Sequence, residues 1–131
     1  MALIVQKFGG TSVANAERLR NVARIITDTY QRGNRVVAVL SAQGDTTDDL
    51  IEKAREINPS ASKREMDMLL STGEQISCSL CAMAIEAMGY PVVSLTGWQA
   101  GFRTNSGYGN ARIKRVMTER VRDELENKRR I

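Results

Sequence analysis

The residues that first suggest chemistry form the segment Lys7-Phe8-Gly9-Gly10-Thr11-Ser12, which follows an apolar run. Glycines after a strand let the backbone approach an anion closely, and a helix N-terminus offers N–H groups with a partial positive charge. Lys7 adds a full charge at the carboxyl end of the strand, where open α/β sheets bind ligands. The spacing matches neither a Walker A loop nor the dinucleotide fingerprint. The segment predicts a phosphate site, with a tight strand-to-helix turn as the alternative.

A polar loop follows the second apolar run and has the sequence Ser41-Ala42-Gln43-Gly44-Asp45-Thr46-Thr47-Asp48-Asp49. Its hydroxyl and backbone N–H groups could hold substrate oxygens at the same edge of a parallel sheet. Taken alone, the loop is better explained as a helix start. Thr46 or Thr47 would be the N-cap, and Asp48 and Asp49 would lie in the first turn.

A third segment, Ser71–Ser77 (STGEQIS), places Gly73 inside a long helical pattern. Glycine in a helix interior costs about 1 kcal/mol relative to alanine, so a close approach of another backbone or of a ligand should compensate. The neighbouring Glu74 could receive a substrate ammonium group. The alternative is a helix kink beside an exposed glutamate.

Composition excludes several kinds of site. The chain has 131 residues and no histidine, which excludes Ser-His and Cys-His nucleophiles, a histidine base and histidine-ligated zinc. Two cysteines are too few for a disulfide scaffold. Cys78 and Cys81 fall inside a helical pattern, so packed and reduced thiols are expected, and no metal ligands are predicted. No apolar run approaches the roughly 20 residues of a membrane span, no signal peptide is visible, and a cytoplasmic location is expected.

The positive charge is concentrated near the C-terminus. The net charge is +4, and nine basic against four acidic residues lie between Arg103 and Ile131. Such a segment could contact nucleic acid. Its basic residues are not interleaved with aromatic side chains, so solvated residues that flank helices are the better explanation. Neither a nucleic-acid partner nor a membrane partner is expected.

The hydrophobic pattern predicts an α/β fold with a parallel sheet covered on both faces. The long third helix should bury a stripe that includes Leu69, Ile76, Leu80 and Ala84. The expected elements are strands at Ala2–Phe8, Arg35–Leu40, Pro91–Leu95 and Ala111–Val116, helices at Asn15–Gln31, Thr47–Ile57, Lys63–Met88 and Thr118–Arg129, and a loop or hairpin at Gly97–Gly109.

In combination these motifs resemble the aspartate kinase family, which has the amino-acid kinase fold. The matching segments, in order, are Lys7–Val13 (KFGGTSV), Val39–Leu50 (VLSAQGDTTDDL), Ser71–Ser77 (STGEQIS), Thr96–Gly101 (TGWQAG) and Gly109–Ile113 (GNARI). The resemblance covers essentially the whole chain. It implies a three-layer α/β sandwich of which this chain, residues 1–131, is the N-terminal portion of the catalytic domain.

The resemblance also implies a reaction and a set of site residues. ATP with Mg²⁺ would phosphorylate the side-chain carboxylate of L-aspartate, the first step toward lysine, threonine and methionine. Lys7, as the catalytic residue, and Phe8, Gly9, Gly10 and Ser41 would hold the nucleotide phosphates. Aspartate would be bound by Thr47 and Glu74. In the full-length parent the resemblance implies a homo-oligomer or association with a regulatory subunit.

Other family segments are not found in these residues, among them the nucleotide-base segment, the arginine that clamps the substrate α-carboxylate and the regulatory ACT domains. The 131-residue chain alone is therefore expected to be inactive. Two alternatives remain at this stage. One is another amino-acid kinase, such as a glutamate 5-kinase or a uridylate kinase, and the other is a non-catalytic binding or interaction module.

Overall fold

A computed structural model describes all 131 residues. Short helical turns at Gly10–Val13 (3₁₀) and Asp123–Asn127 (π) accompany the regular elements. The strands and helices in chain order are β1 (Leu3–Phe8), α1 (Ala16–Gln31), β2 (Arg35–Leu40), α2 (Thr46–Ile57), α3 (Lys63–Ala87), β3 (Phe102–Thr104), β4 (Ile113–Val116) and α4 (Glu119–Arg122).

The first half of the chain is a strand–helix–strand unit. β1 and β2 pair in parallel, with Leu3 opposite Arg35 and Phe8 opposite Leu40. Side chains alternate between the two faces of a strand, so Val36 and Leu40 point to the face that α1 covers. The core consists of apolar residues from β2, α1, α3 and the turn before α1: Val13, Leu19, Val22, Ala23, Ile26, Val36, Leu40, Cys81 and Ile85.

Helix boundaries follow local signals. The Asn15 side chain accepts a 2.9 Å hydrogen bond from Arg18 N and caps α1, while Ser62 Oγ accepts from Glu65 N at the start of α3. Gly33 (φ 93°) and Gly89 (φ 87°) follow α1 and α3 in the left-handed conformation that ends helices. These bounds agree with the sequence prediction to within one residue.

The buried stripe of α3 is shifted from the predicted one. Gly73, Ser77, Cys81 and Ile85 are buried, whereas Ile76 and Leu80, expected inside, are 47% and 40% exposed. The residues at the first three buried positions are small, which lets α3 approach its neighbours α1 and α2 closely. The hydrophobic pattern alone favoured the larger side chains because it does not record how close the neighbouring helices come.

By length and composition alone, α3 could cross a membrane. One window of 18 residues in this helix has a mean hydropathy of 1.2, and 22% of that window is buried. The core helix of a globular protein passes the same test. Because α3 contributes Cys81 and Ile85 to the core beneath α1, we describe it as a packed helix of the fold.

The strand predicted at Pro91–Leu95 is not formed as an element of the β1–β2 sheet. A strand requires a neighbour along several residues, and here the only backbone partner is Ile131. Ile131 N donates to Pro91 O at 2.9 Å, and Val93 N donates to Ile131 O at 3.0 Å. This is the hydrogen-bond pattern of a parallel pair, limited to one residue.

The residues after α3 include a two-stranded hairpin, which is separate from the β1–β2 sheet, and a terminal helix. β3 and β4 pair antiparallel, so the hairpin takes its second strand from beyond the loop or hairpin predicted at Gly97–Gly109, and the last strand begins at Ile113 instead of Ala111. The terminal helix begins at Glu119 and continues as a π-helical turn to Asn127. Within these residues only one face of the β1–β2 sheet is covered by helices, and Leu3, Val5 and Val39 are exposed on the other.

Candidate functional site

The two strands bring the first two motifs to one edge of the sheet. Lys7 lies opposite Val39 in the parallel register, and Ser41 N donates to Phe8 O at 3.1 Å just beyond the strand ends. Lys7 is exposed and its ammonium group makes no hydrogen bond or ion pair with the protein, while Ser41 is half-buried. The carboxyl ends of parallel strands are where open α/β sheets bind ligands. The Lys7 ammonium group is therefore available to an anion at this edge.

The turn after β1 differs from the expected strand-to-helix junction. Gly9 is extended, and residues Gly10–Val13 form one 3₁₀ turn before α1 begins at Ala16. The N-terminus of α1 is thus set back from the glycines and is capped by Asn15. A Cβ on Gly9 would meet no atom within 4 Å. The backbone beside Gly9 is accordingly open to a ligand, as a phosphate turn requires.

Gly10 is required by the second loop. A Cβ at this position would lie 2.8 Å from the carbonyl oxygen of Ala42, and Gly44 N donates to Gly10 O at 2.9 Å. Gly44 adopts a φ of 46°. The close approach of two backbones therefore explains why a glycine stands at position 10, independently of any phosphate.

The second loop leads directly into α2. The N-cap position is Asp45, whose side chain makes no capping hydrogen bond, so neither Thr46 nor Thr47 is the N-cap that the sequence suggested. Thr47 is half-buried in the first turn, next to the exposed carboxylates of Asp48 and Asp49. The Thr47 side chain makes no hydrogen bond with the protein at the start of α2.

Gly73 brings the third motif against the same loop. A Cβ on this residue would lie 2.9 Å from the Cβ of Ala42 and 3.6 Å from Thr46 Cγ2. The glycine is therefore compensated by the close approach of a side chain, Ala42, rather than by a ligand. Glu74 follows it and is exposed. Ala42 is therefore the place where three segments meet: the turn at Gly9 and Gly10 (the glycine turn), the second loop and α3.

Glu74 lies at a groove of about 830 Å³. Ser71, Gln75 and Thr96 stand with it in the lining, and the rest is mainly apolar, with β2 contributing a continuous run, Val36–Leu40. Lys7, Ser41 and Thr47 are not among the lining residues. The predicted residues thus divide into a group at the sheet edge and Glu74 at the groove, linked through Gly73 and Ala42.

The cysteines have the environment expected of packed thiols. Cys81 is buried and Cys78 is half-buried, and both are free. Burial, with a smaller effect of Cys78, raises the pKa of Cys81 to about 11. Burial and then the negative charge of Glu74 raise the pKa of Cys78. Since the thiolate is the reactive form, neither residue is poised for nucleophilic or redox chemistry.

Sequence reasoning missed three structurally important residues. Ala42 carried no signal, because its importance depends on two glycines far away in the chain. Gln43 lies in the second motif without an assigned role, and its Nε2 donates to Val13 O at 2.9 Å. Glu124 is 3% exposed and accepts hydrogen bonds from three of the basic residues that were expected to be solvated: Arg120, Lys128 and Arg130.

Comparison with known proteins identifies the family. The amino acid kinase family model matches residues 2–131. Over 126 residues the chain is 56% identical to the aspartokinase of Geobacillus stearothermophilus and 52% identical to aspartokinase 2 of Bacillus subtilis, and it covers 31% of each protein.

A crystal structure of aspartate kinase from Synechocystis aligns with a TM-score of 0.71 and 54% identity, over 74% of this chain and 17% of that one. The fold is therefore that of the amino-acid kinases, as the sequence predicted, and the chain spans about 31% of the length of the curated relatives quoted above. A family-model match over nearly every residue leaves no alternative fold, and this chain belongs to the amino acid kinase family.

Proposed function

We propose that residues 1–131 are the N-terminal part of the catalytic domain of an aspartate kinase. The enzyme would transfer the γ-phosphoryl group of ATP to the side-chain carboxylate of L-aspartate and release ADP and 4-phospho-L-aspartate. The observation that carries the proposal is the meeting of three motifs at Ala42, which contacts the positions of Gly10 and Gly73. The identities of 52–56% to aspartokinases support the choice of substrate.

The phosphate end of the reaction is assigned to the sheet edge. Lys7, Phe8, Gly9, Gly10 and Ser41 would hold the nucleotide phosphates, with Lys7 directed at the γ-phosphoryl group. The open backbone at Gly9 and the exposed ammonium of Lys7 support this assignment. A fixed cation and backbone N–H groups stabilise charge that develops as the bond to ADP breaks.

The acceptor end is assigned to Thr47 and Glu74. The Glu74 carboxylate would bind the ammonium of aspartate, and the Thr47 hydroxyl would orient the substrate at the start of α2. A carboxylate oxygen of aspartate attacks the γ-phosphorus, the bond to the β-phosphate oxygen breaks, and ADP leaves with the electron pair. The nucleophile is already ionised at pH 7, so no general base is needed, in agreement with the lack of histidine.

Magnesium would enter with the nucleotide. Mg²⁺ binds mainly to substrate phosphates and water, with one or two carboxylates. This chain has no group of three or more His, Cys, Asp or Glu side chains that could hold a metal ion. We therefore assign no residue of this chain to the cation, which would neutralise phosphate charge as part of the bound nucleotide.

The same proposal extends to the pathway, the cellular location and the assembly of the enzyme. The product is the activated acid that lysine, threonine and methionine biosynthesis requires. The two free thiols support a cytoplasmic location. In the complete enzyme we expect a homo-oligomer or association with a regulatory subunit. Glutamate 5-kinase and uridylate kinase remain the alternatives, because they share the family and a similar glycine turn.

The experiment is a substrate comparison in a full-length enzyme that carries this chain. ADP release is measured with ATP and, separately, with aspartate, glutamate or UMP as the acceptor. Hydroxylamine is added in parallel, because it converts an acyl phosphate into a hydroxamate. Aspartate-dependent ADP and hydroxamate are the expected result. ADP release that depends on glutamate or UMP, with none on aspartate, would contradict the proposal.

A further inference from the structure

Ala42 occupies the space between two glycines that belong to different motifs. Its carbonyl oxygen lies 2.8 Å from the position that an added Cβ on Gly10 would take. Its own Cβ lies 2.9 Å from the position that an added Cβ on Gly73 would take. Both distances are shorter than real Cβ contacts. Ala42 itself is 5% exposed, so it has no open space into which it could move.

The loop around Ala42 is attached firmly to the glycine turn. Gly44 N donates to Gly10 O at 2.9 Å, and the Gln43 side chain donates to Val13 O at 2.9 Å. Val13 is fully buried at the end of the 3₁₀ turn. Because two hydrogen bonds and one close contact tie the loop to the turn, a displacement of Ala42 moves the turn with it.

On its other side Ala42 meets α3 one residue before Glu74. The contact is between a methyl group and a bare glycine backbone, neither of which can rotate away. Close-packed interiors transmit displacement, because they contain few voids that could absorb it. The positions of Glu74 and of the glycine turn are consequently not independent of each other.

We propose that Ala42 is a positioning residue that sets the separation between Glu74 and the phosphate-binding turn, and thereby couples the two substrate sites. The proposal rests on the proposed function for its assignment of the two ends of the reaction. It predicts that a change at α3, which does not touch ATP, alters ATP binding. Removal of the Glu74 charge lacks this effect, because that change leaves the backbone in place.

The test is a double-mutant cycle at positions 42 and 73 in the full-length enzyme. Gly73→Ala adds a methyl group toward Ala42, Ala42→Gly opens the space that this methyl group needs, and the double variant combines them. In an unobstructed helix, alanine is more favourable than glycine, so a loss of function in Gly73→Ala reports the contact rather than helix propensity. Ala87→Ser, an enlargement by one atom at an exposed position of α3, is the matched control.

Binding of a non-hydrolysable ATP analogue is measured by calorimetry, and kcat and both KM values are measured by ADP release. We expect Gly73→Ala to raise the Kd for the analogue at least fivefold and to lower kcat at least tenfold. The double variant should return both quantities to within about threefold of Ala42→Gly. Ala87→Ser should match the parent.

Other outcomes separate the two proposals. The positioning role would be overturned if the effects of the two single variants on Kd and kcat simply multiplied in the double variant. It would also be overturned if Gly73→Ala melted at a lower temperature with unchanged Kd and kcat. If Gly73→Ala does not fold but the double variant does, the result supports the contact between positions 42 and 73. If neither variant folds, the positioning role is overturned. Analogue binding does not depend on the identity of the acceptor, so a rescue in Kd without aspartate turnover would contradict only the proposed substrate.

Discussion

The side-chain amide of Gln43 donates a hydrogen bond of 2.9 Å to the backbone carbonyl of Val13, across 30 positions of the chain. Val13 is fully buried, and its carbonyl lies at the end of the 3₁₀ turn Gly10–Val13. A buried carbonyl needs a donor, and the polar loop after β2 supplies one. The hydrogen bond therefore fastens the loop to the glycine turn.

Replacement of Gln43 by methionine should keep the packing volume and remove the donor. A typical intramolecular hydrogen bond contributes about 0.5–1.5 kcal/mol, and an unpaired buried carbonyl adds to the loss. We expect a lower melting temperature for the full-length enzyme and a KM for ATP that rises severalfold. Unchanged melting temperature and KM would show that water or another donor replaces the amide.

Replacement of Lys7 by methionine keeps most of the side-chain stem and removes the charge. Loss of one donor to a developing anion typically costs about 2.7–4 kcal/mol, or roughly 100- to 1,000-fold in kcat. We expect a decrease of that order, with the KM for aspartate nearly unchanged. Lys7→Arg should restore activity only in part, because a planar guanidinium does not replace a compact ammonium beside a glycine turn. A kcat within a few fold of the parent enzyme, with a native circular-dichroism spectrum, would remove Lys7 from the site.

Replacement of Glu74 by glutamine should weaken aspartate binding. A hydrogen bond to a charged group is worth about 1.5–3 kcal/mol, so the KM for aspartate should rise by roughly 10- to 100-fold. The KM for ATP should stay within a few fold, since the backbone at Gly73 is not disturbed. Gln75→Glu, which moves the charge by one residue, should not rescue binding in the double variant. Equal KM values for the variant and the parent enzyme would make Glu74 a structural residue.

Glu124 predicts a specific dependence of stability on pH. Burial acts to raise its pKa, but hydrogen bonds from Lys128, Arg120 and Arg130 outweigh burial, so the pKa lies below its ordinary value. A carboxyl group with a lowered folded-state pKa contributes stability above its unfolded pKa of about 4.3, and loses it as the pH falls through the folded value. Glu124→Gln should therefore melt at a lower temperature than the parent at pH 7.

The size of this effect follows from the exposure of the cations. Arg120, Lys128 and Arg130 are 41–46% exposed, so water can replace the carboxylate in part. We expect a loss of about 1.5–3 kcal/mol at pH 7. The difference from the parent should shrink as the pH falls below about 4.3. A difference that is constant between pH 7 and pH 3 would mean that the Glu124 charge does not contribute. Glu119→Gln, at an exposed position of α4 that makes no ion pair, is the control.

The 131-residue chain by itself should show no aspartate kinase activity. It spans about 31% of the aspartokinase to which it is compared, and the groove at Glu74 is not lined by Lys7, Ser41 or Thr47. No ADP release above the ATP blank is expected with aspartate, at any protein concentration tested. Aspartate-dependent ADP release that is abolished by Lys7→Ala would contradict this expectation.

The sequence alone determined the order and type of the first five elements. The apolar runs at β1 and β2, the helical spacing in α1, and the stop signals at Gly33 and Gly89 act between near neighbours, so they can be recognised without the fold. Three motifs in order were also enough to predict the family. The roles of Lys7, Thr47 and Glu74 stay predictions that follow from that resemblance.

Only the tertiary structure decided how the motifs meet. Whether Pro91–Leu95 forms a strand depends on what lies beside it, and the buried face of α3 depends on how closely α2 and the second loop approach. Gly73 showed that something must come close, but not that it is Ala42. These features depend on contacts between residues far apart in sequence, where packing distance rather than residue type determines the outcome.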